Sequence, residues 1–220
     1  MTKHFMRDLG SLADHLLVVS NRCEDAFGRA IDSILARDTA VAQEVVEGDA
    51  EIDDLEVQLE EEALKILALH APVAGDLRFL VASIKINNDL ERIGDIASNI
   101  AKRTLDLAKM EPIDTPEDFV EMAQQTRTMV KEAIQSLVNR DVDRARALMA
   151  LDDRVDDLNR IILQRIETRM MSEAAAIPAL MRWGNVVRLV ERIADYATNI
   201  AEDIIYMEEG DIVRHGDITE

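Results

Sequence analysis

"ERIGDIASNIA", Glu91 to Ala101, returns as "ERIADYATNIA", Glu191 to Ala201, with eight of eleven residues identical at an offset of 100. The shared positions include two carboxylates, an arginine and an asparagine as well as the apolar residues that packing alone would need. Around the first copy, Ile86, Leu90, Ile93, Ala97, Ile100, Thr104 and Leu107 follow steps of four and three. Val186, Val190, Ile193, Ala197, Ile200, Ile204 and Met207 do the same around the second. Each set is the apolar stripe of one long helix. Upstream, "DAEIDDLE" (Asp49 to Glu56) resembles "DDRVDDLN" (Asp152 to Asn159) at an offset of 103, which pairs Asp49 with Asp152 and Asp53 with Asp156. The same offset aligns Asp38 with Asp141, each an N-cap after a helix ending "ILARD" or "LVNRD".

Each half therefore holds three helices, and the expected fold is all-α, two tandem three-helix bundles related by internal duplication. Composition agrees: eight glycines, four prolines and 3% aromatics leave little material for strands and tight turns. The spans predicted are 5–37, 39–69, 74–110, 116–139, 142–171 and 176–208, with Gly48 as a possible break in the second. "KMEPIDTPEDFVEM" reads as the linker, in which Thr115, Pro116 and Asp118 make a helix start. The repeats are thus placed at residues 1–111 and 112–220, the second ending in a frayed tail after Glu208.

A formal charge of −19, spread along the chain, repels phosphate backbones and anionic lipid, so nucleic acid is not an expected partner. It attracts cations and basic protein surfaces. No run of about 18 apolar residues occurs, and acids interrupt the N-terminal segment where a secretory signal would need an apolar core. A single Cys23 fits a reducing compartment, and the reading is cytoplasmic.

Short connections make consecutive helices antiparallel, so residues equally far from a turn lie level. The pairs 53/91 and 49/95 share a midpoint at Pro72, and 156/191 and 152/195 share one between 173 and 174, both in breaker sequence. Asp49 and Asp53 should stand level with Asp95 and Glu91, and Asp152 and Asp156 level with Asp195 and Glu191. A spacing of four puts each pair on one helix face. Glu91 and Asp95 point away from the apolar stripe of their helix, so whatever these acids form lies on the bundle surface. The plain reading is a solvated acidic face. Its rival is an oxygen-rich metal cluster on each half, because level pairs of like charge call for a counter-charge, from Arg92 and Arg192 or from a divalent ion.

The four histidines are scattered and none follows Glu at the spacing of ferritin-like di-iron enzymes. Phosphate-binding glycine loops, Gly-x-Ser-x-Gly and Cys/His pairs are missing too, and no enzyme activity is expected. His70 reads as a polar helix end, Cys23 as a small residue of the first helix, Met170, Met171 and Met181 as core, and Trp183 as core or interface.

"DLRFLVASIKINNDLERIGDIASNIAKR" (Asp76 to Arg103), its copy "RLVERIADYATNIAEDI" (Arg188 to Ile204) and the paired "IDDLE" and "VDDLN" segments resemble the PhoU phosphate-signalling regulators over nearly the whole chain. The resemblance implies a commonly dimeric protein with iron or zinc clusters at its acid-x-x-x-Asp motifs. It also implies a negative regulator between a phosphate-specific ABC transporter and a membrane histidine kinase of the phosphate regulon. By position, the implied metal ligands are Asp49, Asp53, Glu91 and Asp95 in one half and Asp152, Asp156, Glu191 and Asp195 in the other. Rival readings from other classes are a carboxylate-bridged metal enzyme and a metal-free helical scaffold. Two departures stand out: Ala194 replaces the family's glycine, which is expected to crowd a partner backbone, and Asp76 and Arg78 lack counterparts in the second half.

Overall fold

The computed structural model describes residues 3–210. Six long helices follow the predicted stripes: α1 Lys3–Ala36, α2 Thr39–His70, α3 Gly75–Ala108, α4 Phe119–Asn139, α5 Val142–Ser172 and α6 Ile177–Glu209, with one 3-10 turn at Ala174–Ala176. No strand occurs among the described residues. Both aspartate caps form: Asp38 accepts from the N–H groups of Ala40 and Val41 at 2.9 and 3.1 Å, and Asp141 accepts from that of Arg144 at 3.0 Å. Each satisfies donors the first turn leaves open, worth about 1 kcal/mol. Gly48 does not break α2, which runs through it.

Several details refine or depart from the sequence expectation. Helix α4 starts at Phe119, after a turn over Glu117 and Asp118. Phe119 is fully buried and meets Trp183 edge-on with centroids 5.0 Å apart, so tertiary packing, and not the Thr115–Pro116 signal, sets the start. Trp183 is therefore core. Met171 and Met181 are 87% and 53% exposed at the α5–α6 end and fill no core, while Met170 is half-buried against it. Helix α6 continues to Glu209 and is capped by Gly210 at φ 83, a left-handed position suited to glycine; the rest of the expected tail lies outside the described residues.

Helices α1, α2 and α3 pack on one another, as do α4, α5 and α6, and the bundles join through α3 against α6 and α1 against α4. The Lys85–Asp203 pair (2.7 Å) and the Arg182–Asp106 pair (3.4 Å) share one midpoint, so α3 and α6 run antiparallel with Gly94 level with Ala194. Arg78 Nε reaches the Met207 carbonyl at 3.5 Å and ties the start of α3 to the end of α6. That contact spans the two repeats. One continuous apolar core runs through both bundles.

The α1–α2 seam is pinned at seven-residue steps along α1. Asp8 meets His70 (3.2 Å), His15 meets Glu62 (2.6 Å), Arg22 meets Glu51 (2.9 Å) and Arg29 meets Glu44. Exposed pairs of this kind contribute about 0–1 kcal/mol each, so they select register more than they stabilise. His70 is a polar helix end, its ring tilted against that of Phe5 with centroids 5.0 Å apart.

Candidate metal centre

Because α2 and α3 meet through a tight turn, the acids of "DAEIDD" and "ERIGD" arrive at one height. Carboxylate oxygens of Asp49, Asp53 and Asp95 come within 4.8 Å of one another. In the second repeat, oxygens of Asp156, Glu191 and Asp195 do the same across α5 and α6. Three of each predicted four thus converge. Glu91 stands one turn before Asp95, drawn to Arg92, whose guanidinium lies 3.3 Å from Glu91 and 3.2 Å from Asp95. Asp152 stands behind its triad, half-buried, with Oδ1 sealed from water and lacking a hydrogen-bond partner. Helix α1 covers the other side of α2 and α3, and α4 covers the other side of α5 and α6. Since α1 and α4 touch, both triads open on the opposite face of the molecule.

The electrostatics are those of crowded, half-dry carboxylates. Burial raises Asp49, and the charges of Asp53 and Asp95 push further in the same direction. Burial and then Asp95 raise Glu91, with Arg92 opposing. In the second repeat, burial and then Asp156 and Asp195 push Asp152 up to about 6. Glu191 is raised by burial and then by Asp195 and Asp156, and Asp195 by burial and then by Asp156, with Arg192 opposing at both. All favour a proton or another cation in the site.

The donor set tests which cation fits. It is made of oxygen alone, with no histidine or cysteine in either triad, the chemistry of hard ions such as iron(III) in preference to thiolate-seeking zinc. A hydroxyl lines each seam and opposes the rise of the carboxyl beside it, Ser98 at Asp49 and Thr198 at Asp152. The residues present would suit a hard cation held by carboxylate oxygens.

Sequence reading missed two features. Ser98 and Thr198 occupy one position of the repeat, both hydroxyl-bearing, and that match was the available signal. Glu56 couples to Asp53 and Glu91, and buried Asn87 donates to its backbone carbonyl at 2.9 Å, an arrangement replaced by Asn159 and Val187 in the second repeat. The expectation about Ala194 needs correction: it is fully buried and faces no partner. Val155, in the position of Ile52, is one carbon smaller and leaves room for the added methyl.

Helical tandem repeats that carry an acid cluster at matching heights define a class of duplicated bundle proteins. The PhoU domain model matches residues 16–104 and again 119–204. The chain is 34% identical over 222 residues to the phosphate-specific transport system accessory protein PhoU homolog of Pseudomonas aeruginosa, covering 100% of this chain and 91% of that protein. It is 35% identical over 213 residues to the PhoU homolog of Caulobacter vibrioides, covering 94% and 92%. The crystal structure of PhoU from Pseudomonas aeruginosa superimposes with a TM-score of 0.89 at 34% identity, over 94% of this chain and 100% of that one. The PhoU structure from Streptococcus pneumoniae shares the fold, with a TM-score of 0.89 over 96% and 100%. The chain belongs to the PhoU family.

Proposed function

We propose that this protein is an accessory regulator of phosphate transport that represses phosphate uptake and the phosphate-starvation response. It acts as a non-enzymatic cytoplasmic adaptor between the ATPase subunit of a phosphate ABC transporter and a sensor histidine kinase, and it works as a homodimer. The observation that carries the reading is the pair of carboxylate triads on one face of a family member whose relatives bear the name of transport accessory proteins. No described helix is long and apolar enough to cross a membrane, so contact with the transporter is made from outside the bilayer.

In this reading Asp49, Asp53, Asp95 and Glu91 hold iron or zinc in the first repeat, and Asp156, Glu191, Asp195 and Asp152 hold it in the second. Bound metal supplies the positive charge that crowded carboxylates lack. The chain's own contribution is to hold α2 against α3 and α5 against α6, so that the acidic face keeps one shape for a basic partner patch.

Deletion of the gene is the test. Constitutive alkaline phosphatase in phosphate-replete cells is expected, and phosphatase that stays repressed would overturn the proposal. Affinity capture with the tagged chain should recover the transporter ATPase and the kinase; recovery of neither removes the adaptor role.

A further inference from the structure

We propose that Arg92 is a latch on the first metal centre: its guanidinium holds Glu91 out of the carboxylate triad until an ion displaces it, whereas Arg192 leaves Glu191 free to ligate. The proposal rests on the metal reading above and makes its two centres unequal.

Equivalent repeats would bring the same three positions together. They do not. The first repeat gathers Asp49, Asp53 and Asp95 and leaves Glu91 aside, while the second gathers Asp156, Glu191 and Asp195 and leaves Asp152 aside. The arginine that follows each glutamate differs in the same way. Arg92 bridges its neighbours, with Nε 3.3 Å from Glu91 and Nη1 3.2 Å from Asp95. The Arg192 side chain forms no ion pair or hydrogen bond among the described residues. A guanidinium can grip two carboxylates at once because its donors are fixed in a planar fork. Where that fork closes, the glutamate stays out; where it stays open, the glutamate joins its triad.

The surroundings explain which fork closes. On the first seam Asn87, one turn before Glu91, donates to the Glu56 carbonyl at 2.9 Å and to its carboxylate at 3.4 Å, which holds another negative group beside the acids of α3. The second seam has neutral Asn159 at that position. Glu191 and Asp156 there line an open cleft of about 590 Å³, and the one arginine on its wall, Arg160, is paired with Asp157. Arg92 is itself 56% exposed, so its grip is that of a surface pair. Such a grip decides which acids meet in an empty site and still yields to an ion. The second centre therefore binds a cation more tightly than the first.

Full-length protein stripped with chelator is titrated with zinc(II) alone against a chromophoric competitor. A D156N/D195N background isolates the first centre, and D49N/D95N isolates the second. Arg92→Gln is expected to tighten zinc binding at the first centre about fivefold, the ceiling for an exposed ion pair. Because part of that gain comes through Glu91, it should shrink when Glu91→Gln is already present. The matching cycle of Arg192→Gln and Glu191→Gln at the second centre should be close to additive. Glu191→Gln should also weaken the second centre more than Glu91→Gln weakens the first. Zinc affinity unchanged in R92Q, or a gain that survives in full without Glu91, overturns the latch while leaving the centres standing. A parent that takes up no zinc at either centre removes the centres, and the latch falls with them.

Discussion

Ile52 closes over Gly94: a Cβ built on that glycine would lie 3.1 Å from both the Cδ1 and the Cγ2 methyl of Ile52. The contact sits between Asp53 on α2 and Asp95 on α3, so it sets how near the two acid-bearing helices come. Gly94→Ala is expected to force the helices apart, with overpacking of about 1–3 kcal/mol set against about 1 kcal/mol of gained helix propensity. Adding Ile52→Val, which copies the Val155–Ala194 arrangement, should recover the loss and leave a clear non-additive term in the double-mutant cycle. Urea melts of the four proteins measure it, and simple additivity would contradict the contact.

Removing charge from the triads should stabilise the stripped protein. Asp95→Asn with Asp195→Asn relieves like-charge crowding on both seams, and a gain of up to about 1 kcal/mol is expected, near 2–4 °C for a chain of this size. The same variant should lack the rise in melting temperature that iron or zinc is expected to give the parent. A variant that melts lower and still responds to metal would oppose the reading.

The pH dependence follows from two half-buried acids. Burial, then Asp156 and Asp195, push Asp152 up to about 6, and burial, then Asp203, pushes Asp89 up to about 7 against the pull of Lys85. The folded state holds these protons more tightly than the unfolded chain, where aspartate titrates near 3.8. The stability these two groups contribute is therefore lost as pH rises, starting near pH 4 and gone above about pH 7. Stripped protein is expected to melt higher at pH 5 than at pH 8. Metal affinity should run the other way, falling as pH drops through about 6, because the ligands must be deprotonated to bind. A melting temperature that climbs between pH 5 and pH 8 without metal would refute the first statement.

Lys85 serves the α3–α6 joint by standing among Asp203, Asp89 and the ring of Tyr206, whose centroid lies 5.4 Å from Nζ. Lys85→Ala leaves two carboxylates facing each other between the repeats. A loss of about 2 kcal/mol is expected, below that for a fully buried pair because the lysine is partly exposed. Asp203→Asn in that background should return part of it, as read by calorimetry.

Cys23 offers a reporter. Its thiol donates to the Leu90 carbonyl at 3.1 Å, and burial pushes its pKa up to about 12. Reaction with a disulfide reagent should proceed only as fast as the α1–α3 seam opens, slowing with added metal and speeding with urea. Fast labelling of the native protein would show that the seam is loose.

Much of this was legible in the order of residues. Stripes of period 3.6 broken at Pro72 and at Glu173 made the helices plain, and short turns fixed which acids stand level. The N-caps Asp38 and Asp141 announced themselves by chemistry. The start of α4 did not, because Phe119 is drawn down onto Trp183 by a contact 64 positions away in sequence. Nor did the crossing of α3 and α6, since the linker between repeats is too long for the level argument to carry over. Met171 and Met181 show a further limit: helical spacing says which residues share a face, not whether another helix covers it.

The antiparallel crossing of α3 and α6 has a consequence for recognition. With Gly94 level with Ala194, a half-turn about an axis through that point brings each repeat onto the other, so a rigid partner with one contact patch meets two near-equivalent poses. Only residues that break the likeness can choose between them. Exposed Val57 and Leu64 on α2 give way to Arg160 and Glu167 on α5, and Asp76 and Arg78 to Ala176 and Pro178. A partner that docks in a single orientation finds in such differences its sense of direction.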